Sequence, residues 1–389
     1  MIEFNIRTKT LIGKDAILGI LPYLEEHGLT RVGLMVDQAL SNHPSVAMLK
    51  DKLGAAEALH VAVDYVYDLK FEPDYDSLDR VKQTFKSGET PLVDVIVAIG
   101  GGSVIDFAKG IATVVTNHEP AISYRGFPKG IHASVPVIAV PTTAGTASEV
   151  TFNAVFIDYK DNKKLGINTH NNFPVVAVLD PEMTRNAPYS VNLSSGLDAL
   201  VHTIESFAAP GRNNITRMFA VEAFRLLFNN LKPALTEPEN EMARQNMLVG
   251  AYLAGVSLMN AGSGPSGAIS YALGVVNKVP HGLAGGMTLP YLVEHNVSRQ
   301  YDEYAVLYDQ IEGASANLSA REKSEALVQA FFALWDELDV WAYALRYDVK
   351  VDEDTALQQY LSSLQGAYNQ NPLPFVYEDA VYILNKIYG

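Results

Sequence analysis

The chain has 389 residues, 48% of them hydrophobic and 19% charged, with a net charge of −15 and no cysteine. That balance suits a water-soluble globular protein with room for two or three domains. An acidic surplus without any basic run argues against nucleic acid or anionic membrane as partners, and the missing cysteines exclude disulfides and thiolate metal sites.

In chain order, residues 4–11 read as a strand, and a helix runs to about residues 24–26 after Gly13. Residues 31–36 form a short buried strand that ends at Asp37. A helix and a strand near 60–67 follow, and Glu72-Pro73 opens a helix over about 75–87. An apolar strand over 93–99 then ends in Gly100-Gly101-Gly102-Ser103, where a helical pattern starts at once. Residues 135–140 are another apolar strand, ending in Pro141-Thr142-Thr143-Ala144-Gly145-Thr146. Further strands are predicted over 150–158 and 175–179. After Asp180-Pro181 helical periodicity takes over, at 195–207, 216–229, 241–257 and onward to Tyr388. Alternating strands and helices predict an α/β domain with a mainly parallel sheet over 1–183, followed by an all-α domain over 184–389. No secretory signal and no membrane-length apolar run is expected, which fits a cytoplasmic location.

Three stretches carry chemistry. Glycines at a strand-to-helix turn let backbone approach a ligand, and the helix start favours an anion, so Gly100 to Ser103 reads as a seat for a cofactor pyrophosphate. The loop from Thr142 to Thr146 offers hydroxyls for phosphate or ribose oxygens, or caps for the next element. Asp198 and His202 stand four apart on one helical face, behind Ser195 as a capping-box-like start. His281 lies in a turn-like stretch, Pro280-His281-Gly282. Together Asp198, His202 and His281 make a two-histidine, one-carboxylate set suited to Fe(II) or Zn(II). The alternative for the helical pair is a local hydrogen bond on a solvated face.

These stretches, in this order, resemble the iron-containing (group III) alcohol dehydrogenase family nearly end to end. Gly100-Gly101-Gly102-Ser103-Val104-Ile105-Asp106-Phe107-Ala108-Lys109 fits GGGSxxDxAK. Pro141 to Thr151 fits PTTAGTGSEVT, with Ala147 for glycine. Asp180-Pro181-Glu182-Met183 fits DPEL, Gly196 to Glu205 fits GxDALxHxxE, and Pro280-His281-Gly282 fits PHG.

The resemblance implies an NAD(P)-dependent alcohol dehydrogenase or aldehyde reductase of the dehydroquinate-synthase-like fold. Its active site is expected in a cleft between a dinucleotide domain and a helical metal domain. Gly101, Gly102 and Ser103 are implied pyrophosphate contacts, with Gly100, Asp106 and Leu179 counted among the cofactor residues. Thr142, Thr143 and Thr146 line the cofactor, and Lys164 reaches the nicotinamide ribose. Asp37 would hydrogen-bond a 2′-hydroxyl and repel a 2′-phosphate, favouring NAD(H) over NADP(H).

One departure matters. Relatives usually carry a third metal histidine fourteen residues before the PHG histidine, and here that position is Gly267. Metal is then either held more weakly by three protein ligands or lost, and the remaining donors favour retention. Tyr271 takes a position near the substrate and is the candidate for polarising or protonating the carbonyl oxygen. Gly264-Pro265-Ser266-Gly267-Ala268 is similar to a branch that includes phosphonoacetaldehyde reductases. Ser263, Ser266 and Ser270 would offer hydroxyls to a small polar or anionic aldehyde. Glu72 replaces a common asparagine near the cofactor. A homodimer or larger homo-oligomer is implied. Rival readings are an NAD- and metal-using lyase or synthase of the same fold, and a non-catalytic dinucleotide-binding protein.

Overall fold

The computed structural model describes residues 3–68, 73–161 and 163–389; Glu72 lies outside them. The chain divides into two compact units, Ile6–Ala187 and Pro188–Gly389, the second joined by Glu3, Phe4 and Asn5.

In the first unit the order is β1 (Lys9–Ile12), α1 (Ile20–Glu26), β2 (Arg31–Asp37), α2 (Pro44–Ala55), β3 (His60–Tyr67) and α3 (Tyr75–Lys82). A two-residue ribbon, β4 (Lys86–Ser87) with β5 (Thr90–Pro91), precedes β6 (Val95–Gly100), α4 (Gly102–Val114) and β7 (Val137–Pro141). A hairpin of β8 (Val155–Asp158) and β9 (Lys163–Gly166) leads to β10 (Val176–Leu179). Six strands form a parallel sheet in the order β1-β10-β7-β6-β2-β3.

Both faces of that sheet are covered, which is why its strands read as continuous apolar runs. Along β6, Val95, Val97 and Ile99 enter a core with Leu34, Val36, Val46 and Leu49. Ile96 and Ala98 enter the opposite one with Phe107, Ile111 and Phe156. The chain runs outward from β2 to β3, then returns to the other side of β2 as β6. The strand order therefore reverses between β2 and β6. Ligands of open parallel sheets bind beyond the strand C-termini at such a reversal. Asp37 ends β2 and Gly100 ends β6, so the two flank that point.

The second unit is helical among its described residues. Its helices are α5 (Tyr189–Ala208), α6 (Asn214–Thr236), α7 (Glu241–Ala261), α8 (Pro265–Asn277), α9 (His281–Ser298) and α10 (Ala305–Tyr308). They continue as α11 (Ala320–Glu337), α12 (Val340–Ala344), α13 (Thr355–Ser362), α14 (Gln365–Tyr368) and α15 (Tyr377–Tyr388). No described helix is long and apolar enough to cross a membrane.

Three local expectations are corrected. The strand placed at 4–11 begins only at Lys9. Phe4 instead stacks on Phe219 at 5.8 Å, and Asn5 exchanges hydrogen bonds with Asn260. The strand placed at 150–158 pairs only from Val155, and in an antiparallel hairpin outside the main sheet. Ser195 caps nothing: α5 starts at Tyr189, because Pro188 fixes φ at −54° just ahead of it.

Candidate active site

At the sheet end of the first unit, α4 starts directly after β6 with Gly101 as its N-cap and no side chain capping it. Its first-turn N–H groups, Gly102 and Ser103, are thus left to a ligand, and the helix dipole favours an anion. A Cβ at Gly102 would stand 2.5 Å from Thr146 Oγ1, so only glycine lets the threonine loop close over this turn. Thr142 N–H donates to Gly100 O at 3.1 Å, and Ser148 N–H donates to Thr146 Oγ1 at 3.4 Å. Thr143 is half-buried and Thr146 exposed, whereas Thr142 is buried. Ala147, in the glycine position of the motif, takes φ +54°. That left-handed conformation costs an L-residue about 1–2 kcal/mol.

Asp106 is engaged by side chains and backbone of its own unit. One oxygen accepts from Ser148 Oγ and faces Lys109 Nζ at 3.5 Å, and the other accepts Val155 N–H at 2.9 Å. Lys109 is fully buried and also donates to Ser148 Oγ and the Asn153 carbonyl, both at 2.9 Å. The two residues thus fasten α4 to the loop that follows Thr146. Beside them Glu149 is buried, and burial pushes its carboxyl up to about 7. Leu179 is a fully buried residue of β10, and Lys164 lies half-buried on β9 opposite Ile157. Asp37 accepts Ala39 N–H at 2.9 Å, which pins its carboxylate at the strand end.

In the helical unit, Asp198 and His202 lie on α5, both buried, with His202 Nε2 3.6 Å from Asp198 Oδ1. His281 opens α9, and its Nε2 lies 3.8 Å from the same oxygen. The approach depends on Gly282: a Cβ there would overlap the carbonyl oxygen of Ser194 and sit 2.9 Å from Asp198 Cβ. Leu283 N–H completes the joint by donating to Ser194 Oγ at 3.1 Å. The Tyr271 ring lies 4.7 Å from the His281 ring.

Glu205 lies three residues beyond His202, at the end of the same motif. It is buried on α5 and receives four hydrogen bonds from the start of α8. Oε2 accepts from Ser263 Oγ at 3.0 Å and Gly264 N–H at 2.8 Å. Oε1 accepts from Ser266 N–H at 2.6 Å and Gly267 N–H at 3.1 Å. Burial pushes its carboxyl pKa up, while these donors and His202 pull it down. A Cβ at Gly267 would lie 2.8 Å from Ser263 Oγ and 3.0 Å from Glu205 Oε2. The glycine at the absent-histidine position thus makes room for this carboxylate. The signal was present in the sequence as the Asp198, His202, Glu205 spacing.

The same contacts engage two of the three serines expected to offer hydroxyls to a substrate. Ser263 is committed to Glu205, and Ser270 donates to the Ser266 carbonyl at 2.7 Å. Ser266 Oγ is buried and unpartnered.

Comparison with known proteins decides the family. Residues 7–181 match the iron-containing alcohol dehydrogenase family, and residues 192–388 match the C-terminal part described as Fe-containing alcohol dehydrogenase. The chain belongs to the iron-containing alcohol dehydrogenases. It is 30% identical over 307 residues to a sulfoacetaldehyde reductase of Bilophila wadsworthia, covering 78% of this chain and 79% of that one. A solved 1,3-propanediol oxidoreductase superposes with TM-score 0.89 at 25% identity, covering 100% of both chains. A sulfoacetaldehyde reductase of Bifidobacterium kashiwanohense, solved in complex with NAD+, superposes with TM-score 0.86 at 26% identity, covering 100% of this chain and 99% of that one.

Within this iron-containing alcohol dehydrogenase chain the donor set fits a metal only in part. Among the described residues no three His, Asp or Glu side chains stand close enough as placed to hold a metal ion. Two imidazole nitrogens nevertheless face one carboxylate oxygen at 3.6 and 3.8 Å. Donors sharing a metal with bonds of about 2.1 Å stand roughly 3–3.5 Å apart, so each histidine lies a few tenths of an ångström beyond that spacing from Asp198. His202 Nδ1 is buried without a partner, so the outer support usual for a ligating histidine is missing. The chemistry of these three donors suits a divalent ion, while their spacing is looser than that of a formed site.

Proposed function

We propose that this protein is an NAD(H)-dependent alcohol dehydrogenase or aldehyde reductase for a small polar aldehyde. The observation that carries the reading is the pair of histidine nitrogens facing Asp198 Oδ1, in a chain that also keeps an uncapped glycine turn at its sheet reversal. Gly100, Gly101, Gly102 and Ser103 seat the pyrophosphate of the cofactor by backbone N–H groups and the dipole of α4. Thr142, Thr143 and Thr146 border it, Lys164 reaches the nicotinamide ribose, Leu179 is among the cofactor residues, and Asp37 selects the unphosphorylated ribose.

Asp198, His202 and His281 hold Fe(II) or Zn(II). Bound metal and cofactor supply Lewis-acid polarisation of the carbonyl oxygen and the hydride, respectively. The chain's own contribution is geometry. The α5–α9 joint at Gly282 aims His281 at Asp198, and Glu205 fixes the start of α8, which carries Tyr271. Tyr271, beside His281, offers a phenolic proton to the developing alkoxide. Homo-oligomeric assembly and a cytoplasmic site of action are part of the same reading.

The test is metal analysis of purified protein, paired with NADH oxidation over neutral and anionic aldehydes. Asp198→Ala is expected to lose both metal and rate. Unchanged metal content and rate in that variant would refute the ligand assignment. NADH binding without turnover on any aldehyde would instead favour a non-catalytic dinucleotide-binding protein.

A further inference from the structure

A cavity lies in the helical unit beside the ligand set, with a volume of about 370 Å³. Ser190, Ser195, Leu283, Tyr343, Arg346 and Tyr347 are among its walls. The α5–α9 joint separates it from the ligands: Ser195 lies one turn before Asp198, and Leu283 follows His281 by two residues.

Arg346 is what marks the cavity. Its guanidinium lies over the Tyr343 ring at 4.0 Å, and Tyr343 stacks in turn on Tyr189 at 6.0 Å. Among the described residues no carboxylate pairs with Arg346, although acidic side chains outnumber basic ones 44 to 29 in this chain. The ring contact steadies the guanidinium, and among the described residues no acceptor engages its N–H groups, which suits two-point recognition of a carboxylate or phosphate. The hydroxyls of Ser190 and Ser195 also make no hydrogen bond among the described residues. Leu283, Tyr343 and Tyr347 supply apolar and aromatic surface for a ligand body. A few polar groups converging in a largely apolar pocket of this size are the usual makings of a small-molecule site.

The geometry points to a binding site for a small aryl anion, with its charged group on Arg346 and its ring against Tyr347 and Leu283. This site is separate from the proposed metal centre and does not rest on the reading of that centre. Phenyl phosphate is the probe, titrated by calorimetry into the full chain. We expect saturable binding that weakens at least tenfold in Arg346→Gln and is unchanged in Asp198→Ala. Arg346 is exposed, so its replacement leaves the fold and the basal aldehyde reduction intact, checked by circular dichroism and by rate. Absence of binding to the unaltered chain, or equal affinity in Arg346→Gln, overturns the inference. Loss of binding in Asp198→Ala also overturns it, because the probe would then be occupying the metal centre. Failure of aldehyde reduction with the Arg346-dependent binding retained would count against the proposed function alone.

Discussion

Glu205→Gln tests how the absent histidine is accommodated. The carboxylate accepts two donors at each oxygen: Ser263 Oγ and Gly264 N–H at one, Ser266 N–H and Gly267 N–H at the other. A glutamine amide has one accepting oxygen. Its better orientation keeps that oxygen on Ser266 and Gly267, where both donors are backbone. The amide nitrogen then faces Ser263, whose hydroxyl can turn to accept, and Gly264 N–H, which cannot. One buried N–H is orphaned at about 1–3 kcal/mol. Two remaining bonds also lose their charge assistance. The expected loss is roughly 2–4 kcal/mol, read as a lower urea midpoint at pH 7 with unchanged slope. Glu205→Ala strands three backbone donors and is expected to lose more. A loss below about 0.5 kcal/mol in Glu205→Gln would refute the argument, because a carboxyl group already neutral in the folded state would tolerate the amide.

Gly282→Ala puts a methyl into the Ser194 carbonyl and is expected to cost about 3 kcal/mol or more while loosening His281; thermal melts and bound-metal content check both. Asp106→Ala removes the partner of a fully buried Lys109 and is expected to cost about 3–5 kcal/mol. An unchanged melting temperature with weaker NADH binding would instead make Asp106 a ligand contact. Glu149 has a folded pKa raised from 4.5 to about 7 by burial. The folded chain therefore holds that proton where the unfolded chain has released it. Its contribution to stability is full below about 4.5 and is lost as pH rises toward 7. Urea midpoints between pH 5 and pH 7.5 are expected to fall less steeply in Glu149→Gln than in the unaltered chain. An identical slope in both would remove Glu149 as its source.

How much of this could be read in advance depended on the range of the interaction. The β6 run announced a strand buried on both faces, since any polar residue there would meet one of two cores. The glycine turn announced an uncapped helix start, which is a property of the four consecutive residues Gly100 to Ser103. The i, i+4 spacing of Asp198 and His202 put them on one face wherever α5 began, so misplacing its start at Ser195 cost nothing at the site. Residue 4, by contrast, follows long-range contacts: Phe4 finds Phe219, 215 positions away, and no local period announces that. Asp106 reads as a ligand residue because its charge stands in a ligand motif, yet its partners at 148 and 155 lie a whole strand and loop later. Gly267 is the instructive case. Read alone, it is a missing donor. Placed beside Glu205, it is the position where a side chain would press on a buried carboxylate that holds four donors. Restoring the histidine by Gly267→His should therefore lower stability before it improves metal affinity, because the imidazole must displace Ser263 Oγ at 2.8 Å and Glu205 Oε2 at 3.0 Å from its Cβ. A Gly267→His chain that melts no lower than the unaltered one and binds metal more tightly would show the α8 start to be pliable, and Glu205 then could not be what keeps this position bare.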